Sequence, residues 1–315
     1  MALSTSQQQD QDRSEVPTQT TTNTLLGNLI NKACVTNQKI DIPEFTTLNE
    51  VYGIRASESI GVKNGRDFEL KYFTLGVRGA DSVGKDANGV DVRRTNQHQP
   101  IDGNVFVPIP LCIRPLSNPL DNLTRAKYRG REVKTLNGVA YEIYWVGLTK
   151  FDRYDPQLLK IYKDPVSGTE DVKKYIPSSD DLRPTPVELT SSNTVPISNT
   201  YVNGSAILNC TLSESELEEL KNACRIYYND AGYAAPNEIA MVYGIDSTVD
   251  GDIGGGKYIR YTEALSMVVG HYITERSARE ANNNREISLL FDHGGSEPML
   301  LHTTSSTTAN ASTNP

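Results

Sequence analysis

Apolar and polar positions alternate most sharply between Val139 and Leu148. There Val139, Tyr141, Ile143 and Trp145 interleave with Ala140, Glu142, Tyr144 and Val146, which predicts a strand with one set on each face. Asn137-Gly138 stands immediately before it, a pair that tolerates the positive φ angles of a type I′ turn. Tyr128 to Thr135 is therefore expected to fold back on Val139 to Leu148. Upstream, after Asp102-Gly103, the run Val105 to Leu111 contains Pro108 and Pro110, which allow an edge strand or extended segment and forbid a helix. Arg125, Lys127, Arg129, Arg131 and Lys134 cluster on the incoming side of the hairpin. This basic, aromatic-backed hairpin is the most distinctive surface the pattern predicts.

Helical spacing of Leu25, Leu26, Leu29, Ile30 and Ala33, behind the cap candidates Asn23 and Thr24, predicts a short amphipathic helix. It either packs on its own domain or serves as an arm that docks on a neighbour. Asn64-Gly65 between Ser59–Lys63 and Phe68–Arg78 predicts a second hairpin, and the change of apolar face at Tyr72-Phe73 suggests a bulge or burial on both sides. Gly79 to Pro100 has almost no large apolar residues and is expected to be a long exposed loop, a natural contact between subunits. Asn203-Gly204 is a third hairpin candidate. Ser213 and Glu216 form a capping box with Leu212 and Leu217 at staple positions; the helix they start carries the stripe Leu217, Leu220, Cys224 and Tyr227, and Gly232 is placed to end it. Beyond it Glu238–Ile245 reads as a strand, Thr262–Arg276 as a helix and Glu286–Phe291 as a last strand.

The expected fold is β-rich α+β, with several hairpins and two or more helices in the C-terminal half. Residues 1–24 and 303–315, polar and poor in apolar anchors, are expected to be disordered tails. Between them the pattern predicts a β-rich domain over 25–175 that includes the N-terminal helix and the loop 79–100. A proline-rich linker or arm over 176–200 and an α+β domain over 201–302 follow.

Composition changes this picture little. The chain has 315 residues and a formal charge of −8, so no global field draws it to nucleic acid and any such contact must be local. Four cysteines, Cys34, Cys112, Cys210 and Cys224, lack metal spacing and are too few for a disulfide scaffold, so free thiols are expected. The N-terminal residues lack the basic and apolar regions of a signal peptide, and no apolar run reaches the roughly 20 residues of a membrane span.

Candidate chemistry is sparse. Gly251 to Lys257 has the G-x-x-x-x-G-K spacing of a phosphate-binding loop, but Tyr258 stands where a magnesium-binding Ser or Thr is needed and the following residues read as strand. Asp246, Asp250 and Asp252 lack the ligand spacing of a calcium loop. His98, His271, His293 and His302 fall in four separate contexts with no zinc pattern. No catalytic, cofactor or metal residue is assigned, and a non-enzymatic protein is expected.

The segments Val105 to Leu116, Leu123 to Arg129 and Asn137 to Tyr141, with Tyr261 to Ala264 and Ser296 to Leu301, resemble virion structural proteins of tailed bacteriophages over roughly residues 45–301. That resemblance implies an oligomeric building part in the neck, tail or baseplate, without cofactor or small-molecule substrate. It also implies other virion proteins as partners, no membrane, and residence in the virion after synthesis in the host cytoplasm. Interface candidates are Arg125, Lys127, Tyr128, Arg129, Arg131, Tyr141, Tyr144, Trp145, Tyr154, Arg93 and Arg94, with Tyr162 as a further exposed aromatic, because aromatic and arginine side chains anchor interfaces. The alternative is a nucleic-acid or glycan binding module that uses the hairpin 125–145. Against this alternative stands a solvated hairpin face making ordinary ion pairs with Glu132 and Glu142.

Overall fold

The computed structural model describes residues 19–54, 61–85, 87–89, 91–148, 157–184, 197–252, 258–276 and 287–300. Its elements begin with β1 (Gln19–Asn23), α1 (Leu25–Thr36), β2 (Lys39–Asp41), α2 (Leu48–Val51), β3 (Val62–Asn64) and β4 (Glu69–Val77). Next come β5 (Ala80–Lys85), β6 (Asp91–Thr95), β7 (Val107–Ile109), β8 (Cys112–Pro115), α3 (Asn122–Arg125), β9 (Tyr128–Leu136) and β10 (Val139–Leu148). The chain continues with β11 (Gln157–Lys163), β12 (Glu170–Lys174), β13 (Ile197–Leu212), α4 (Glu214–Tyr228), β14 (Glu238–Asp252), β15 (Tyr258–Glu275) and β16 (Ile287–Leu300). The class is the β-rich α+β that the pattern predicts.

Two compact units form: Met1–Lys150 with Thr211–Ser288, and Phe151–Cys210 with Leu289–Pro315. The expected division into domains 25–175 and 201–302 is therefore corrected. β14 and β15, from the second half of the chain, lie in one eight-stranded sheet with β4 and β10, in the order β1-β15-β14-β4-β10-β8, with β7 added on β4 and β9 on β10. The second unit is a four-stranded sheet ordered β12-β11-β13-β16. Of the expected linker 176–200, residues 197–200 open β13, and Thr200 pairs with Tyr162 of β11.

The 128–148 hairpin forms as predicted. Asn137 and Gly138 take φ of 50° and 80°, and Leu136 pairs with Val139. β4 shows both outcomes anticipated at its change of face. Val242 pairs with Tyr72 but Tyr243 with Leu70, which leaves Lys71 as the extra residue of a bulge, and Tyr72, Phe73 and Leu75 are all buried. The α4 capping box is present in both directions, although Asn229 at φ 58°, rather than Gly232, takes the left-handed C-cap.

Several expectations are overturned. Thr262–Arg276 is the strand β15 and not a helix, so α4 and a single 3-10 turn are the helical elements described in the C-terminal half. The reason is burial: β15 lies between β1 and β14 with Met267, Val268 and Val269 each almost fully buried, so its apolar residues run on without alternation and mimic a helical stripe. Asn64-Gly65 makes no type I′ turn. Asn64 caps a 3-10 turn, β3 pairs with β2, and Gly65 lies against the backbone of Ala33 where no Cβ fits. Asn203-Gly204 is interior to β13, facing Leu159 and Leu158. The loop 79–100 contains the exposed hairpin β5–β6. The tail 1–24 is partly structured, since Gln19–Asn23 pair with Glu275 to His271; residues 1–18 and 303–315 lie outside the described residues.

Helix α1 packs on its own unit, where Ile30 and Ala33 meet Ile40, Ile42, Phe68, Tyr243 and Val268. Its side-chain cap is Thr24, whose hydroxyl accepts from Gly27 N–H and donates to the carbonyl of Val269 at 2.6 Å. Gly27 sits on Gly270, and a Cβ added to Gly27 would fall 2.5 Å from the Gly270 Cα. Gly27→Ala is expected to destabilise the protein by about 1–3 kcal/mol, as overpacking does. A denaturant midpoint unchanged from the wild type would overturn this account of the contact.

Candidate functional site

The structure disperses the predicted basic surface into internal pairs. Arg129 is buried on β9, and its Nε and Nη2 donate to Asp246 on β14 at 3.0 and 3.3 Å. Tyr72 also donates to Asp246, and Lys71 lies 3.3 Å from it. Burial alone would raise the Asp246 carboxyl, but the hydrogen bonds from Arg129 and Tyr72 outweigh it and hold the group below the usual carboxylate range. Arg125 and Arg131 both reach Glu142 of β10, at 3.5 and 2.8 Å, and Arg131 lies 3.4 Å from Glu263. The two guanidinium groups also lie over the Tyr261 ring at 5.4 and 5.9 Å. Lys134 pairs with Glu132 and donates to Tyr227.

The interface candidates separate accordingly. Tyr128, Arg129, Tyr144 and Trp145 are buried and belong to the fold, which corrects their placement on a contact surface. Trp145 stacks on Tyr52 at 5.0 Å and donates from Nε1 to Glu132. Tyr141 is half-buried, while Lys127, Arg93 and Arg94 are exposed. Tyr162 is 47% exposed, and Tyr154 lies outside the described residues. Lys127 and Tyr128 line a pocket of about 270 Å³ between the base of the hairpin and α4, together with Phe73, Leu111, Glu216 and Leu220.

The other candidate motifs take structural roles. β14 and β15 pair from Glu238↔Thr274 to Asp252↔Tyr258, so the glycine segment joins two antiparallel strands and no helix follows it to bind phosphate. Residues 253–257 of that segment lie outside the described residues. Asp250 pairs with Arg260 at 2.9 Å, away from Asp246, and no group of metal-ligating side chains occurs among the described residues. Cys34, Cys112 and Cys224 are free, and burial pushes the Cys112 thiol up to about 12.

One cluster has no counterpart in the sequence patterns. His98 is fully buried between the rings of Phe106 and Tyr272, at centroid distances of 4.0 and 3.7 Å. Its Nδ1 is 2.8 Å from Asp102, and its Nε2 is hydrogen-bonded to Glu238, also fully buried. Glu238 accepts the Phe106 N–H as well, at 3.0 Å, and burial raises its carboxyl above the usual range despite the imidazole beside it. Asp102 alone of the three reaches the surface, with its side chain 32% exposed. It lines a pocket of about 320 Å³ whose walls include Leu25, Leu26, Phe45, Ile101, Val268 and Val269. Glu238 is 140 residues from His98, so only the pairing of β4, β14 and β15 brings the cluster together.

No helix of the described residues is long and apolar enough to cross a membrane. Comparison with curated proteins and with solved structures finds no match. A family model described as "Family of unknown function (DUF7208)" matches residues 10–308, so the chain belongs to that family.

Proposed function

We propose that this protein is a non-enzymatic structural component of a phage virion that assembles as an oligomer in the neck, tail or baseplate. The observation that carries the reading is how the unit divides its side chains. Its arginines on the hairpin are engaged with Asp246, Glu142 and Glu263, whereas large apolar residues stand in solvent: Leu25 is 58% exposed, Phe45 75% and Ile101 77%. Apolar side chains grouped on a surface mark contact sites, and paired charges leave little to hold a charged substrate. In the second unit, β12 forms one edge of its sheet, with Val172, half exposed, and four charged neighbours along it. An edge strand of this kind offers a second place for a partner strand, with lysines guarding against indiscriminate pairing.

Light scattering over a range of protein concentration and salt tests the reading. A discrete oligomer that persists at high salt is expected, since contacts centred on apolar residues are weakly screened. A monomer under all conditions would overturn self-assembly. The same structure weakens the alternative of a nucleic-acid module, because Arg125, Arg129 and Arg131 already face carboxylates. Titration with a labelled single-stranded oligonucleotide should accordingly show no binding that declines steeply with salt.

A further inference from the structure

The pocket beside Asp102 combines two features that ordinary surface depressions lack. Its floor and walls are apolar, with Val268 and Val269 almost fully buried beneath and Leu25, Phe45 and Ile101 standing exposed around it. Asp102 is the single charged residue among those that line it. The carboxylate is also held in place from behind. Its Oδ2 accepts the Gln99 N–H at 3.0 Å and lies 2.8 Å from the imidazole Nδ1 of His98. The backbone carbonyl of Asp102 accepts from the Tyr272 hydroxyl at 2.9 Å, which fixes the turn that bears it. Of the three residues His98, Asp102 and Glu238, Asp102 is the only exposed member. Its second oxygen, Oδ1, has no protein donor among the described residues.

From this arrangement we infer that the pocket is a receptor for a lysine side chain presented by a partner polypeptide, the aliphatic stem lying along Leu26, Val268 and Val269 and the ammonium meeting Asp102 Oδ1. Lysine fits better than arginine because a single carboxylate oxygen is available, which suits a point donor and not the two-pronged guanidinium fork. A polypeptide fits better than a free amine because Leu25, Phe45 and Ile101 extend the apolar surface beyond the pocket. Residues flanking the lysine would cover them, while a small amine would leave them in water. The inference deepens the assembly reading by stating what a neighbouring chain inserts.

The test uses the full-length protein and three capped tripeptides, leucine–lysine–leucine and its analogues with norleucine or arginine at the centre, with n-hexylammonium as a fourth ligand. Methyl NMR follows Leu25, Leu26, Ile101, Val268 and Val269. The lysine peptide is expected to bind at least about tenfold more tightly than each of the other three, and Asp102→Asn is expected to remove its advantage over norleucine. Equal binding of the lysine and norleucine peptides, or an unchanged preference in Asp102→Asn, would overturn the inference. Equal binding of n-hexylammonium would overturn the polypeptide as its source. Should Asp102→Asn lose its fold, Phe45→Ala alters a side chain that is 75% exposed and should weaken the lysine peptide severalfold. An unweakened peptide would then count against the site. An oligomeric protein that fails this test leaves the assembly reading standing, and a strict monomer that passes it refutes self-assembly while the receptor stands.

Discussion

Arg129→Met is expected to lower the unfolding free energy by about 3 kcal/mol, the lower end of what removing one partner of a buried ion pair costs. The lower end applies because Asp246 keeps 23% side-chain exposure and retains Lys71 at 3.3 Å when Arg129 is gone. The loss should depend on pH with a definite sign. Asp246 is held below its ordinary value in the folded state, so its contribution is present above the unfolded value of about 4 and disappears as pH falls through the folded one. Denaturant unfolding at about pH 7 and about pH 3 measures this: the gap between wild type and variant should shrink in acid. A gap that is equal at both values would show that Arg129 acts through packing and not through its charge.

Glu238→Ala should cost as much or more, about 3–5 kcal/mol, since it leaves both the His98 Nε2 and the Phe106 N–H without a hydrogen-bond partner in a dry environment. The carboxyl also fills space against Gly76, where an added Cβ would lie 2.6 Å from Glu238 Oε2. The milder Glu238→Gln isolates the titration. Burial raises the folded carboxyl, so its contribution is complete below the unfolded value of about 4.3 and is lost as pH rises through the folded value. The wild type should therefore lose stability from this group on going upward from about pH 4, and Glu238→Gln should show a flatter profile over the same range. Parallel profiles would mean that the Glu238 carboxyl does not change its protonation between folded and unfolded chains.

Local signals carried the elements whose cause is local. Asn137-Gly138 fixes its hairpin because two successive positive φ angles are cheap there, and Ser213 with Glu216 starts α4 because both atoms of the capping box lie within one turn. The spacing around Leu25 likewise located α1. Gly65 behaved differently: the tight approach of the Ala33 backbone, 32 residues earlier, decides its role, and no neighbouring residue reports that contact. β15 was misread for a related reason, because a strand buried on both faces has no alternation to show.

The candidate sites divide in the same way. The sequence by itself determined a β-rich α+β chain, a basic hairpin at 125–145, and glutamates at 132 and 142 able to neutralise it. Only the tertiary structure decided that Arg129 would be consumed by Asp246, 117 residues away, and that Tyr144 and Trp145 would be core. It alone placed Glu238 against His98 and left Asp102 facing an apolar pocket. The physical reason is range. Turns and caps are settled by forces within a few residues, whereas ion pairing and burial depend on which distant strands become neighbours, and that is fixed by the pairing of β4, β14 and β15.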